Sequence, residues 1–201
     1  MAVKTYGSAL GADFRMLVHH ATARGSEYEL EYKGKSYLVR VPLIGKFNMY
    51  NSLAALAAVI CAGIPVRDAI ASLQNIPQVP GRLELFTHPG GAQIFIDYAH
   101  TPDALENVCK TLKELCSRRL ITVFGCGGDR DKGKRPLMGA VAARLSDACI
   151  VTSDNPRSEE PLSIINQITA GMPEGRYAII PDRARAIATA IDQARLGDIV
   201  L

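Results

Sequence analysis

The stretch that decides the fold is LITVFGCGGDRDKGKRPLMG, residues 120–139. An apolar run, Leu120–Phe124, leads into a glycine-rich loop, and a helix is predicted to follow over residues 136–145. A strand, a glycine loop and a helix in this order are typical of one unit of a parallel, doubly wound α/β sheet.

The same alternation continues on both sides of the quoted stretch. The pattern predicts strands over 94–96, 120–124, 148–152, 177–180 and 199–201, and helices over 102–116, 136–145, 161–170 and 182–195. Polar clusters follow the strands directly, at 97–100, 125–135, 152–157 and 181–183. Because ligands bind at the carboxyl ends of parallel strands, these clusters predict a site on one rim of the sheet.

The first part of the chain has a different rhythm. Residues 14–23 and 27–32 alternate, and Lys33–Lys35 predicts a tight turn into a strand that ends at Val41, which together form an antiparallel hairpin. Residues 48–62 predict a helix with Asn48 or Asn51 as cap or first-turn residue and Gly63 as its stop, and 66–73 predict a second helix. A proline-rich stretch, 76–81, places a domain boundary near Gly81.

Composition narrows the class of protein. The chain has 201 residues, 48% apolar and 21% charged, and a net charge of +3, which suits a globular α/β protein and gives no basic stripe for nucleic acid. The five cysteines form no CxxC pair, so a reduced, cytoplasmic setting is expected. Apolar runs are too short to cross a membrane, and no residue set has metal-ligand spacing.

The glycine loop nearly matches a phosphate-binding loop. Gly128, Gly133 and Lys134 have the right spacing, but Arg135 stands where a Ser or Thr hydroxyl would help to hold Mg²⁺. Asp129 and Asp131 would also repel a polyphosphate. The residues leave two other interpretations: a flexible loop that presents Arg130 to a carboxylate, or a solvated charged turn.

The cluster DNPR, 154–157, combines opposite charges on one short turn. Asp154 can accept from an ammonium group, Asn155 offers a donor and an acceptor, and Arg157 can grip a carboxylate with two hydrogen bonds. With Arg130 nearby, this set favours an amino acid that carries an extra carboxylate. The alternative is that Asp154 caps a turn and pairs internally with Arg157.

The cluster DYAHTPD, 97–103, ends a strand and opens a helix. Thr101 is the expected N-cap, with Pro102 in the first helical position. Asp97 at a strand end can accept from ribose hydroxyls, and His100 is either a nucleotide contact or a structural histidine.

Five ordered motifs carry a resemblance to a known family: GKFNMYNSLAALA, PGRLE, DYAHTPDAL, FGCGGDRDKGKRPLMG and TSDNPRSEEP. They resemble the Mur ligases, and within them the branch that adds the third residue of the peptidoglycan stem peptide. The resemblance implies a tail of the central ATP-binding domain over 1–81 and most of a Rossmann-like C-terminal ligase domain over 82–201. It also implies ATP-dependent amide bond formation through an acyl phosphate, which joins meso-diaminopimelate to a UDP-N-acetylmuramoyl dipeptide.

The resemblance assigns roles to residues of this chain. Asn51 would contact adenine with Asn48 nearby, Arg82 would reach the phosphates, Asp97 would hold the ribose, and His100 would lie in the same crevice. The incoming amino acid would be bound by Arg130, Asp154, Asn155 and Arg157. Relatives that add lysine carry a different residue where Arg157 stands, which implies a preference for diaminopimelate.

The family's phosphate loop, carbamylated lysine and Mg²⁺ ligands precede the residues matched here. We therefore expect the chain to be a fragment that has no catalytic residue of its own, binds no metal alone, and is inactive alone, within a monomeric enzyme that uses ATP and Mg²⁺. The alternatives are a stand-alone nucleotide- or amino-acid-binding module and a receiver-like interaction domain. A receiver would need an acidic pair that Asp97 lacks.

Overall fold

The computed structural model describes residues 3–22 and 24–201, which form two compact units. The first unit ends at Val79, and the second runs from Pro80 to Leu201. Across the described residues, we find no helix that combines the length and the apolar character needed to span a bilayer.

The first unit contains a four-stranded sheet in sequential order. Its strands are β1 (Tyr6–Gly7), β2 (Phe14–Thr22), β3 (Gly25–Tyr32) and β4 (Lys35–Val41). Strand β1 is parallel to β2, and the others are antiparallel. Lys33 and Gly34 both have positive φ, as a type I′ turn requires, so the predicted hairpin is confirmed. Residue 23, the end of the predicted first alternating stretch, lies outside the described residues.

Two helices cover one face of this sheet: α1 (Lys46–Cys61) and α2 (Val66–Leu73). Alternate strand residues such as Phe14, Leu30 and Val39 point into a shared core with Leu53 and Leu56. Helix α1 begins after Gly45, so Asn48 lies in its first turn and is not the cap. Gly63 follows the helix at φ 100, in the left-handed conformation that a helix stop favours.

The second unit is a six-stranded, mostly parallel sheet. Its strands are β5 (Glu84–Thr87), β6 (Gln93–Ile96), β7 (Leu120–Phe124), β8 (Ala148–Val151), β9 (Tyr177–Ile179) and β10 (Ile199–Val200), in the spatial order β5-β6-β10-β7-β8-β9. Every neighbouring pair is parallel except β5 with β6. The predicted doubly wound α/β fold is therefore confirmed, with an antiparallel edge strand that the sequence analysis missed.

Helices lie on both faces of this sheet: α3 (Pro102–Leu115), α4 (Lys134–Leu145), α5 (Pro161–Thr169) and α6 (Arg183–Gln193). Helices α3, α4 and α5 contact one another in sequence. Ala186 and Ala190 of α6 pack on Ile121, whereas Cys109 of α3 lies 4.0 Å from the Thr122 hydroxyl. Because successive strand residues point to opposite faces, α6 covers the face opposite to α3.

Candidate functional site

The predicted polar clusters do lie at the carboxyl ends of parallel strands. The loops after β7 and β8 are direct neighbours, because these two strands pair with each other. The loop after β6 lies across the inserted strand β10. The loop after β9 adjoins the loop after β8, where the Ser153 N–H donates to the Pro181 carbonyl at 3.2 Å. The rim therefore has three adjacent loops, after β7, β8 and β9, and one more distant loop after β6.

The loops after β7 and β8 are hydrogen-bonded to each other. The Gly128 N–H donates to the Asn155 carbonyl at 3.1 Å, and the Arg157 Nη1 donates to the Gly128 carbonyl at 2.5 Å. The Asp129 carboxylate accepts from the Ser158 hydroxyl at 2.7 Å and from its N–H at 3.2 Å. The glycine loop is thus held in place, whereas the sequence suggested a flexible one.

Glycine is required in this loop because two backbones approach closely. A Cβ atom on Gly128 would lie 1.8 Å from the Pro156 carbonyl oxygen, and one on Gly125 would lie 2.3 Å from the Thr152 carbonyl oxygen. Asn155 and Arg157 have φ values of 47° and 51°, a conformation that side chains other than glycine rarely adopt. Strain of this kind is concentrated at functional sites.

Arg130 and Arg157 come together at Gly127. A Cβ built on this glycine would lie 2.9 Å from Arg157 Nη1 and 3.9 Å from Arg130 Cγ. Arg130 and Arg157 are both exposed. Within the described part of the chain, Arg130 makes no side-chain hydrogen bond or ion pair, so its guanidinium donors are available to a ligand.

The structure does not support internal pairing of Asp154 with Arg157. Arg157 donates to the Gly128 carbonyl, and no ion pair joins the two side chains among residues 3–22 and 24–201. Asp154 Cβ is 3.0 Å from the position of a Cβ on Gly125, so the acid lies beside the glycine loop. Asp154 is half-buried, three residues before Arg157 in the same loop.

Arg135, the residue in the hydroxyl position of the phosphate-loop pattern, is completely buried. Its guanidinium makes a two-pronged ion pair with Glu159, at 2.8 and 2.9 Å. It also donates to Gln167 Oε1 at 2.8 Å and to the Gly127 carbonyl at 3.2 Å. Hydrogen bonds from Arg135 and from the Asp129 N–H lower the pKa of Glu159 from 4.5 to about 2. This pair was not predicted from the sequence, although the acidic residues that follow DNPR were a signal for it.

The other phosphate-loop residues are also engaged elsewhere. Lys134 Nζ donates to the His100 carbonyl at 2.6 Å, and the Gly133 N–H donates to Asp131 Oδ1 at 2.8 Å. In a phosphate-binding loop these donors would point at the phosphates. The local geometry therefore disfavours a nucleotide phosphate in this loop.

The loop after β6 is organised by Asp97. Its two carboxylate oxygens accept from the backbone N–H groups of Leu83 at 2.9 Å and Ala99 at 2.8 Å. Thr101 caps α3 through a 3.2 Å bond from the Ala104 N–H, as predicted. Each carboxylate oxygen has a second lone pair, so Asp97 can still accept from a ligand hydroxyl.

An aromatic group stands beside Asp97 on the same loop. The rings of Tyr98 and His100 make an edge contact with centroids 5.1 Å apart, and Arg82 lies 5.4 Å from the Tyr98 ring. His100 Nδ1 is 3.0 Å from the Tyr98 carbonyl oxygen. Arg82, Asp97 and His100 are therefore brought together in the second unit.

Asn48 and Asn51 belong to the first unit. Asn48 is 8% exposed and donates to the Ile44 carbonyl at 2.8 Å, so its amide fixes the start of α1. Asn51 is exposed and donates to Asn48 Oδ1 at 3.4 Å. Of the two amides, that of Asn51 is the one available to a ligand. No cluster of three or more potential metal ligands occurs among the described residues of either unit.

A doubly wound α/β domain with charged side chains on its carboxyl-edge loops belongs to the class of proteins in which small molecules bind at the strand ends. Comparison with known families gives the assignment. The chain belongs to the Mur ligase family: residues 81–201 match the Mur ligase, glutamate ligase domain, and residues 1–59 match the Mur ligase middle domain.

Similar proteins agree with this assignment. The chain is 46% identical to a UDP-N-acetylmuramoyl-L-alanyl-D-glutamate–2,6-diaminopimelate ligase from Syntrophomonas wolfei and 44% identical to one from Geobacillus kaustophilus, over 98% and 99% of this chain. A solved structure of a ligase of this name is 40% identical over 98% of this chain, with a TM-score of 0.69. A Mycobacterium tuberculosis folylpolyglutamate synthase complexed with ADP, 24% identical over 95% of this chain and 45% of its own, shares the fold at a TM-score of 0.77. The chain spans 41% of the length of the two curated relatives and of the 40% identical structure.

Proposed function

We propose that this chain is part of an ATP-dependent ligase that adds meso-diaminopimelate to UDP-N-acetylmuramoyl-L-alanyl-D-glutamate. Residues 1–81 would form the C-terminal part of the central ATP-binding domain, and residues 82–201 would form most of the C-terminal ligase domain. The names of relatives that match 98% of the chain at 40–46% identity support this assignment.

The observation that carries the proposal is the pair of arginines at Gly127. Asp129 accepts two hydrogen bonds from Ser158, and Glu159 is paired with Arg135, so among the described residues neither acid forms an ion pair with Arg130 or Arg157. Arg130 and Arg157 therefore keep a positive charge that these acids do not cancel. An anionic group is the ligand that such a pair prefers.

Diaminopimelate fits the charges of this site. It is lysine with a second carboxylate on the distal carbon. Arg157 and Arg130 would take the distal carboxylate, Asp154 would take the ammonium beside it, and the Asn155 amide would bridge the two. Lysine would leave both guanidinium groups without an anionic partner, at a cost of several kcal/mol if the site is closed from water.

In the second unit, Arg82, Asp97 and His100 would contact the nucleotide. In the first unit, Asn51 would contact adenine, with Asn48 nearby in the chain. Asp97 retains lone pairs for the ribose hydroxyls, and Arg82 has a charge for the phosphates. ATP supplies the phosphoryl group that activates the substrate carboxylate as an acyl phosphate. The amine of diaminopimelate then attacks that carbonyl, and inorganic phosphate leaves.

Residues of this chain would bind and orient the amino acid, and they would exclude water from it. We assign them no catalytic residue and no Mg²⁺ ligand, and we expect the chain alone to be inactive. The complete enzyme would be a cytoplasmic monomer that serves cell-wall synthesis, and through it cell shape and division.

The experiment is a calorimetric titration of the complete ligase with meso-diaminopimelate and with L-lysine. We expect diaminopimelate to bind and lysine to bind at least about a hundredfold more weakly. Arg157→Ala should weaken diaminopimelate binding strongly and leave the UDP-substrate affinity unchanged. Arg144→Ala is the matched control, because Arg144 lies at the C-terminal end of α4 and is paired with Glu106. Equal affinities for the two amino acids in the wild-type ligase would contradict the proposal.

A further inference from the structure

The ion pair of buried Arg135 with partly buried Glu159 joins four parts of the second unit. Arg135 lies in the first turn of α4, Glu159 in the loop after β8, Gln167 in α5, and Gly127 in the loop after β7. Neither Arg135 nor Glu159 is among the residues to which the proposed function gives a ligand. A buried guanidinium is costly unless it is paired and hydrogen-bonded, as Arg135 is, and a well-packed apolar residue in its place would avoid that cost.

The contacts of this pair end next to the two arginines of the site. Arg135 Nη2 holds the carbonyl of Gly127, the residue against which Arg130 and Arg157 both lie. Glu159 Oε1 accepts from the Asp129 N–H at 2.7 Å, and Asp129 precedes Arg130 in the chain. The pair thus fixes the backbone of Gly127, beside Arg157 Nη1 and Arg130 Cγ, and of Asp129, the residue before Arg130.

We propose that Arg135 is a positioning residue for the carboxylate site: by clamping Glu159 and the Gly127 carbonyl, it holds Arg130 and Arg157 at one shared anion position. This inference rests on the proposed function, and it adds a determinant of the preference for diaminopimelate over lysine. It also explains why an arginine occupies the hydroxyl position of a phosphate-loop pattern.

Two physical effects act together. The planar fork of Arg135 satisfies both Glu159 oxygens, Gln167 and the Gly127 carbonyl, which a lysine ammonium cannot do from one point. The pair also neutralises Glu159. Without Arg135, that carboxylate would add negative charge beside Asp129 and oppose an anionic substrate group.

The test measures kcat and KM in the complete ligase for diaminopimelate, L-lysine and ATP, together with thermal melting. The variants are Arg135→Lys and Glu159→Gln, and Arg144→Lys in the same helix is the control. We expect both variants to raise the KM for diaminopimelate by about tenfold or more, since displacements near 1 Å have such effects. The KM for ATP and the weak activity with lysine should change by less than about twofold, because neither ligand uses the carboxylate site.

The ratio of kcat/KM for diaminopimelate to that for lysine is the deciding quantity. A ratio unchanged in folded Arg135→Lys, or a uniform loss of kcat with all KM values unchanged, would overturn the positioning role. If Arg135→Lys shows no cooperative melting, the same ratio is measured in Glu159→Gln. This variant should fold, because its amide oxygen can still accept from the Asp129 N–H. Failure of the proposed function itself would look different, because the wild-type ligase would then show no preference for diaminopimelate.

Discussion

Arg157 donates a 2.5 Å hydrogen bond from Nη1 to the carbonyl oxygen of Gly128, across the gap between two neighbouring strand-end loops. This bond occupies one edge of the guanidinium and leaves its other donors for a ligand. Arg157 therefore belongs to the scaffold of the loop pair as well as to the proposed binding site. Substitutions in these loops should affect stability and binding to different degrees, depending on which contact they remove.

The close approach of Gly128 to Pro156 gives the first prediction. Gly128→Ala would put a Cβ atom 1.8 Å from a backbone oxygen, so the two loops would have to separate. We expect the free energy of unfolding to fall by about 1–3 kcal/mol or more, and diaminopimelate binding to be lost. Denaturant unfolding and calorimetry would measure both effects.

Gly133→Ala in the same loop is the control for that prediction. Gly133 has a helical φ of −63°, and an added Cβ atom would meet only the Asp131 side chain, at 3.2 Å. The stability should stay the same or rise by up to about 1 kcal/mol, since alanine restricts the unfolded chain. Similar losses in both variants would show that the loops do not approach as described.

Acid should weaken the second unit through Glu159. Its pKa is about 2 in the folded protein and 4.5 when unpaired, so above pH 4.5 it is charged in both states and its bonds contribute fully. Below pH 4.5 the unfolded chain binds the proton first, and the free energy of unfolding falls until the pH reaches about 2. The charged groups that face Glu159 are Arg135, Lys132 and Asp129.

Urea unfolding between pH 6 and 2 would measure this dependence. Glu159→Gln removes the titrating group and should give a shallower decline than the wild type over this range. Glu174→Gln, an exposed acid in the turn before β9, controls for the change in net charge. A decline of the same steepness in Glu159→Gln would refute the assignment of the low pKa.

Asp198 should be a second stability determinant, far from the rim. It is 1% exposed and accepts from Arg119 Nη2 at 2.6 Å and from the Arg195 N–H at 3.0 Å. Asp198→Asn keeps the shape but loses the charge, and should cost about 2 kcal/mol because Arg119 is partly exposed. Asp192→Asn, on the exposed side of α6, should have no measurable effect on the denaturation midpoint.

The cap of α3 offers a smaller, well-defined effect. Thr101→Ala removes the acceptor of the Ala104 N–H and should lower the free energy of unfolding by about 1 kcal/mol. Thr101→Ser keeps the hydroxyl and should be nearly neutral. Thermal melting of the two variants side by side would check this, and a serine variant as unstable as the alanine variant would speak against a capping role.

Local signals were strong enough to predict most elements from the sequence. Strand β7 and helix α2 have the predicted bounds, and Thr101 caps α3 as expected, because alternation, apolar runs and capping residues act over a few neighbouring positions. Strand β5 was missed because four residues that mix Glu84 and Thr87 with Leu85 and Phe86 give no clear pattern. Residues 84–87 become a strand through their antiparallel pairing with β6, which the local sequence does not reveal.

In the candidate site, too, some features could be predicted from the sequence and others could not. The meeting of Arg130 and Arg157 was predictable, since both follow neighbouring strands at the same rim. The burial of Arg135 was not predictable, because an arginine in a charged loop is normally exposed and its partners lie in other parts of the chain. Long-range partners decide whether such a charge is solvated or enclosed.

The position of β10 between β6 and β7 has a consequence for how the second unit folds during its synthesis. Ile199 pairs with both Gln93 and Leu120, so the two halves of the sheet are joined only through a strand that is synthesised after both of them. A growing chain on the ribosome would carry two unjoined half-sheets with exposed edges until these residues emerged. Assembly of this unit should therefore be slow and late, and chaperones that shield strand edges should increase its yield.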